Sequence, residues 1–303
     1  MPLQSAQSSK QRLTYVNITS VVCWGLVSMK KILLTLSLCL FTGCTAAPCF
    51  AAEERSQENP KVNFHGLPVK IQDETSPRKK QQAQKLSAWV IKNLEEKQIK
   101  VAVITREGSP LAVLFDRTGM THSGYVFKNP ETGEWITYSL YSDPDNNFKT
   151  SKVWQQSVFS FYYGQSGKRT DSLMLVPSMA MQEKLLARLT AQPFKLLLPS
   201  DEHYSLVAPL ENPISFNCTK WVLLQFFAAR QNSDDTAQLI HQMATEYKEP
   251  VVKPLFIVKS VLKRKPDVDW AELSPPNHIH TVTVSSLLHS GLFEKNWFYH
   301  SRK

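Results

Sequence analysis

A chain of 303 residues with 42% hydrophobic and 20% charged residues, 18 Pro and 10 Gly has ordinary globular composition, enough for one large domain or two small ones. No uninterrupted apolar run is long enough for a series of membrane-spanning helices, so nothing indicates a multi-pass membrane protein. The formal net charge of +9 comes without helix-turn-helix, ribonucleoprotein or zinc-finger spacing, so nucleic acid is not an expected partner.

The chain opens with a segment that precedes a second methionine, Met29. Residues 1–28 read either as a mis-annotated upstream extension, with Met29 the true start, or as a genuine N-terminal extension, because residues 29–52 have the layout of a secretory signal peptide. Lys30 and Lys31 form a positive start, an apolar run follows from Ile32 to Phe41, and small residues lead to Ala51 and Ala52. Two exits are open. Leu-Phe-Thr-Gly-Cys ending at Cys44 resembles a lipoprotein box, with Phe41 where an aliphatic residue is usual, and would tether the protein to a membrane by lipid. Cleavage after Ala51 or Ala52 would release it. Either exit predicts an exported protein, periplasmic or secreted. Processing would remove Lys10, Arg12, Lys30 and Lys31 and no acid, lowering the net charge to +5. That mild basicity suits an anionic envelope or cell-wall component as partner.

Residues 53–80 are polar and broken by Pro60, Pro68 and Pro77, an irregular arm. A single α+β domain over 81–303 is expected to follow. Leu86, Trp89, Val90 and Leu94 recur at helical spacing within residues 81–98. Residues 100–105 (KVAVIT) read as a buried strand. Residues 122–128 and 134–141 are extended runs separated by Asn129-Pro-Glu-Thr-Gly133, which predicts a hairpin. Residues 153–163 and 178–191 read as helices, 173–176 and 194–198 as strands. Residues 216–230 (FNCTKWVLLQFFAAR) form the most hydrophobic helix after the leader, apolar nearly all round and so buried on several sides. A helix over 234–247, a strand over 281–284 and a closing helix over 285–292 complete the reading. Helix and strand alternate without a regular βαβ rhythm, which favours α+β.

Cys23, Cys39, Cys44 and Cys49 fall in the leader, and only Cys218 lies beyond it. No disulfide framework can form within the domain. A thiol in a first helical turn faces unsatisfied N–H groups and the positive end of the helix dipole, both of which favour thiolate, and Asn217 is a natural N-cap. The alternative reading is a small hydrophobe on an apolar helix. His122 starts a strand, with Gly124 two residues on and on the same face; a glycine there leaves room for another element to approach closely. A neutral imidazole in reach of a thiol is the activation a cysteine nucleophile requires. His203 is a candidate accessory base. His278 and His280, spaced HxH, could supply two metal ligands, but no nearby Cys, Asp or Glu completes a site, so neither a metal nor a cofactor is expected. His241 and His289 read as ordinary helix residues. The aromatic group of Trp154, Phe159, Phe161, Tyr162 and Tyr163 is either core or a binding platform.

The order Val-Ile-Thr-Arg-Glu-Gly, Thr-His-Ser-Gly-Tyr, a Trp-containing strand, Tyr-Ser-Leu and Phe-Asn-Cys-Thr-Lys-Trp-Val resembles the bacterial domain-of-unknown-function 2145 family over about residues 95–290. More distantly it is similar to the circularly permuted papain-like proteins, the NlpC-type and lecithin:retinol acyltransferase-like groups. That resemblance implies an antiparallel sheet with a buried cysteine-bearing helix, Cys218 as nucleophile and His122 as base. It implies a third polar residue on the next strand, where Tyr138 and Ser139 are the candidates, and an oxyanion hole that includes the Cys218 backbone N–H. The expected activity is a thiol hydrolase or acyltransferase acting on an amide or ester, with cell-wall peptide as the analogous substrate. The other expectation is a non-catalytic envelope binding or structural protein on the same fold.

Overall fold

The first described element of the computed structural model is a long helix, α1 (Pro77–Glu96). The structure describes residues 76–107, 116, 118–146, 148–164, 171–191, 196–197, 203–252, 268 and 279–300. All fall in one compact unit, Gln57–Lys303. The leader, residues 1–28, most of the arm, the extended run expected at 194–198 apart from Leu196 and Leu197, and His278 lie outside the described residues.

α1 starts four residues before the expected boundary. Pro77 occupies the first turn, where its missing N–H is no loss, and the polar run after it hides the helix from an apolar-period reading. Ala83, Leu86, Val90 and Leu94 form its buried stripe. β1 (Val101–Arg106), β2 (His122–Lys128) and β3 (Trp135–Ser142) follow as an antiparallel meander. Gly133, with φ of +72°, takes the left-handed position that closes the expected turn between β2 and β3.

Residues 153–163 do not form one helix. β4 (Ser151–Ser157) pairs with β3 along its whole length, and only Val158–Tyr163 is helical, as α2. Trp154, Val158, Phe161 and Tyr162 happen to fall at helical spacing, but cross-strand pairing decides the first half. Ser157 then caps the helix, its side chain accepting from Ser160 N.

α3 (Met179–Leu189) lies within its expected range, and β5 (Ser172–Val176) starts one residue before the run expected at 173–176. β6 (His203–Tyr204) and β7 (Ser215–Phe216) make a short parallel pair that leads into α4 (Cys218–Gln231). α5 spans Thr236–Glu246, and β8 (Val251–Val252) pairs with β9 (Ile279–His280). The strand expected at 281–284 is replaced by a turn into α6 (Val284–Leu288), because Thr283 caps that helix and forms a reciprocal capping box with Ser286. The closing helix therefore sits earlier than expected. A last strand, β10 (Lys295–Tyr299), was not anticipated: its exposed, polar-mixed sequence gains its identity from pairing with β5.

The main sheet has six strands in the order β10-β5-β1-β2-β3-β4, all neighbours antiparallel. It is covered on both faces. Val101, Val103, Tyr125, Phe127, Tyr138, Leu140, Leu173 and Leu175 point into one core with α3, α4, α5 and α6. Ala102, Ile104, Val126, Met174 and Val176 point into the other, with α1 and α2. The two-residue alternation of each central strand thus serves two cores at once, which is why β1 and β5 read as continuous apolar runs. The expected α+β class holds. No described helix is long and apolar enough to cross a membrane.

Candidate functional site

α4 docks its first two turns on the sheet. Ser123 Oγ donates to Thr219 Oγ1 at 3.4 Å, and Tyr125 Oη donates to the Val222 carbonyl at 2.7 Å. At the helix N-terminus, Asn217 Oδ1 accepts from Lys220 N at 2.7 Å, as the sequence predicts for an N-cap. Asn217 Nδ2 ties the cap to Leu206 O, Thr281 Oγ1 and Val282 O. An α-helix provides no internal acceptor for the N–H groups of Cys218 and Thr219, so two donors remain beside the thiol. Lys220, fully buried, sends its Nζ to the carbonyls of Pro209 (2.6 Å), Ser215 (2.8 Å) and Asn212, pinning the loop that precedes α4.

Cys218 is buried. Its Sγ bonds to the Thr121 carbonyl at 3.7 Å and lies 3.8 Å from Thr219 Oγ1. It lines a cleft of about 50 Å³ with Asp116, Met120, Thr121, Tyr204 and Leu206, closed on the far side by residues 281–284. That volume accepts a few waters or one small functional group. Asp116 is structural there: Oδ1 accepts from Thr118 N and Oγ1, and Oδ2 from Ser285 N.

His122 is the first residue of β2 and is buried. The chain therefore brings Cys218 against the residue immediately before it, where the thiol bonds to the Thr121 carbonyl. Ser123 and Tyr125 face α4, so His122 faces α2, where its ring lies 4.3 Å from that of Tyr141 and 5.5 Å from that of Phe161. The close approach at Gly124 is also of a different kind. An ideal Cβ there would fall 2.0 Å from Ser139 Oγ, so a neighbouring strand, not the cysteine helix, fills the space.

The two candidates for a third residue diverge. Tyr138 points to the α4 face, edge-on to Phe127 at 4.8 Å, and burial raises its pKa, with Glu131 adding to the shift. Ser139 lies on the His122 face, against Gly124. The residue that meets the histidine is Tyr141. The register that pairs Tyr125 with Tyr138 sets Tyr141 directly across from His122. Its hydroxyl donates to Gln156 Oε1 at 2.7 Å and accepts from Arg106 Nη2 at 3.4 Å. Burial raises the Tyr141 pKa, opposed by the Arg106 guanidinium and its hydrogen bond and reinforced by the negative charge available at Cys218. The imidazole packs on the Tyr141 ring, and the electrostatic influence of Cys218 reaches the Tyr141 hydroxyl. The five-residue turn cluster at 129–133 does not give this register: counting outward from it sets Leu140 across from His122, whereas the observed pairing of Lys128 with Trp135 places one more residue in the turn and brings Tyr141 there instead.

The remaining histidines lie elsewhere. His203 N donates to Ile214 O, and the ring is absent from the cleft lining. His280 is exposed on β9, with Nδ1 3.5 Å from Glu249 Oε2. His289 Nδ1 contacts Ser285 O at 2.7 Å within the last helical turn, and His241 is an exposed residue of α5. Among the described residues no group of three or more His, Cys, Asp or Glu side chains could hold a metal ion. Phe161, Tyr162 and Tyr163 are buried in the α1–α2 core, so that part of the aromatic group is packing.

No curated protein and no solved structure matches the chain. A family model described as an uncharacterized protein conserved in bacteria, DUF2145, matches residues 93–264. That span runs from the end of α1 past α5 and includes Arg106, His122, Tyr141 and Cys218. The chain belongs to this bacterial DUF2145 family.

Proposed function

We propose that the protein is an exported envelope protein with a papain-like, circularly permuted arrangement, acting through Cys218 as a thiol nucleophile with His122 as its base. The observation that carries this reading is the seat of Cys218. Its thiol lies at the first position of a buried helix, on a cleft, 3.7 Å from the carbonyl that precedes His122. The substrate is an amide or ester, with cell-wall peptide the class an exported protein of this kind would meet. In the acyl-transfer step the thiol proton passes to His122 and Sγ bonds to the substrate carbonyl carbon. The bond to the leaving amine or alcohol breaks, and His122 returns the proton to that group. The N–H groups of Cys218 and Thr219 meet the negative charge on the carbonyl oxygen. Water or an acceptor then releases the acyl group from sulfur.

The test is acylation itself. Incubation of the mature protein with activated esters, followed by intact-mass measurement, should yield one acyl adduct that maps to Cys218 and disappears in Cys218→Ala. Adducts that persist in Cys218→Ala would remove the nucleophile from the account.

A second reading has its own support: the imidazole packs between Tyr141 and Phe161 on the face away from α4. On that reading the protein is a non-catalytic envelope binder, and Cys218 is a packing residue beside a binding cleft.

A further inference from the structure

The geometry points to Tyr141 as the positioning residue of the thiol site, the group that fixes the plane and place of the His122 ring and is itself held by Arg106 and Gln156. This rests on the Cys218–His122 reading. Tyr141 sits opposite His122 in the β2–β3 register, so the strand pair fixes the backbone from which its ring reaches the histidine. Its hydroxyl is fixed from two sides, by Gln156 Oε1 at 2.7 Å and Arg106 Nη2 at 3.4 Å.

Arg106 is in turn anchored. Its Nη1 donates to the Gly164 carbonyl at 2.6 Å, and its guanidinium lies over the Phe161 ring at 5.3 Å. Phe161 is the second wall of the histidine's slot, at 5.5 Å. The imidazole therefore lies between two rings, one locked by hydrogen bonds and one by the α1–α2 core. Ser139 lies a row away against Gly124 and Tyr138 faces the other core, so neither provides this support. A buried Arg and Gln arranged around one tyrosine hydroxyl are more polar groups than packing requires, since each buried polar atom costs free energy unless it is paired. Among the described residues Arg106 Nε and Gln156 Nε2 have no hydrogen-bond partner, a cost that a purely structural cluster would be expected to avoid.

The measurement is the rate of Cys218 alkylation by iodoacetamide against pH, in wild type, His122→Ala, Tyr141→Leu, Tyr141→Phe, Gln156→Ala and the His122→Ala/Tyr141→Leu double variant. A positioning role predicts that Tyr141→Leu lowers the rate at about pH 6.5 by about tenfold, to the level of His122→Ala. The double variant should fall no further, and Tyr141→Phe, which keeps the ring, should recover most of the rate. Gln156→Ala removes one of the two partners of the hydroxyl without touching the histidine slot, and covers the case in which Tyr141→Leu does not fold; it should lower the rate by up to about threefold, at some cost in thermal stability because the buried hydroxyl loses its acceptor. A wild-type profile in a folded Tyr141→Leu or in Gln156→Ala overturns the positioning role. A faster rate in either also overturns it, since Tyr141 would then be restraining the histidine. A profile unchanged by His122→Ala overturns the Cys–His reading itself.

Discussion

Ser139 Oγ occupies the space that a side chain at Gly124 would need. An ideal Cβ on Gly124 lies 2.0 Å from that oxygen and 2.7 Å from the Tyr138 carbonyl. The glycine two residues after the candidate base is therefore demanded by the β2–β3 strand pair, which carries His122 on one side and Tyr141 on the other.

Gly124→Ala is expected to destabilise the protein by about 3 kcal/mol through this overpacking. Adding Ser139→Ala should recover only part of that loss, because the Tyr138 carbonyl stays in place. Thermal unfolding of the single and double variants checks both statements. A Gly124→Ala protein as stable as wild type would contradict the close approach.

Lys220→Met should cost about 2–4 kcal/mol, since three carbonyls would lose a common buried donor. The loss should appear locally as well as globally, with faster amide exchange through residues 209–216 than through β1 or β5. Unchanged exchange in that loop would show that Lys220 does not pin it.

Glu249 offers a pH test. Burial raises its pKa, partly opposed by the Leu210 N–H, His280 and Lys220. The folded state thus binds the proton more tightly than the unfolded chain, whose glutamate titrates near pH ~4.3. The stabilising effect of the protonated form is complete below that value and is lost as pH rises through the raised folded pKa. Glu249→Gln keeps an acceptor for Leu210 N, so it should gain stability over wild type between about pH 4 and pH 7 and match it below. Melting temperatures across that range decide it; a variant that loses ground as pH rises would reverse the sign.

How much was legible follows from where the information lies. The cysteine helix could be read because its signals are local: Asn217 as cap and a run apolar on all sides. The β2–β3 hairpin could be read for the same reason, from a five-residue turn cluster. β4 and β10 could not. Trp154 and Val158 mimic helical spacing, and Lys295–Tyr299 has no apolar alternation, so both depend on partners far along the chain. The face carrying His122 was equally hidden. Two-residue alternation ties His122 to Gly124 and opposes it to Tyr125, but only the contact of Tyr125 with Val222 shows which face the cysteine helix covers. Tyr141 was not legible because the five-residue turn cluster implies a register one residue short of the observed pairing of Lys128 with Trp135.

The central claim is that His122 activates Cys218, and the most direct measurement is the rate of Cys218 alkylation against pH in wild type and His122→Ala. The account predicts fast alkylation that persists below neutral pH in wild type and falls in the variant. A slow rate in wild type, unmoved by the substitution, would contradict it and leave Cys218 a packing residue.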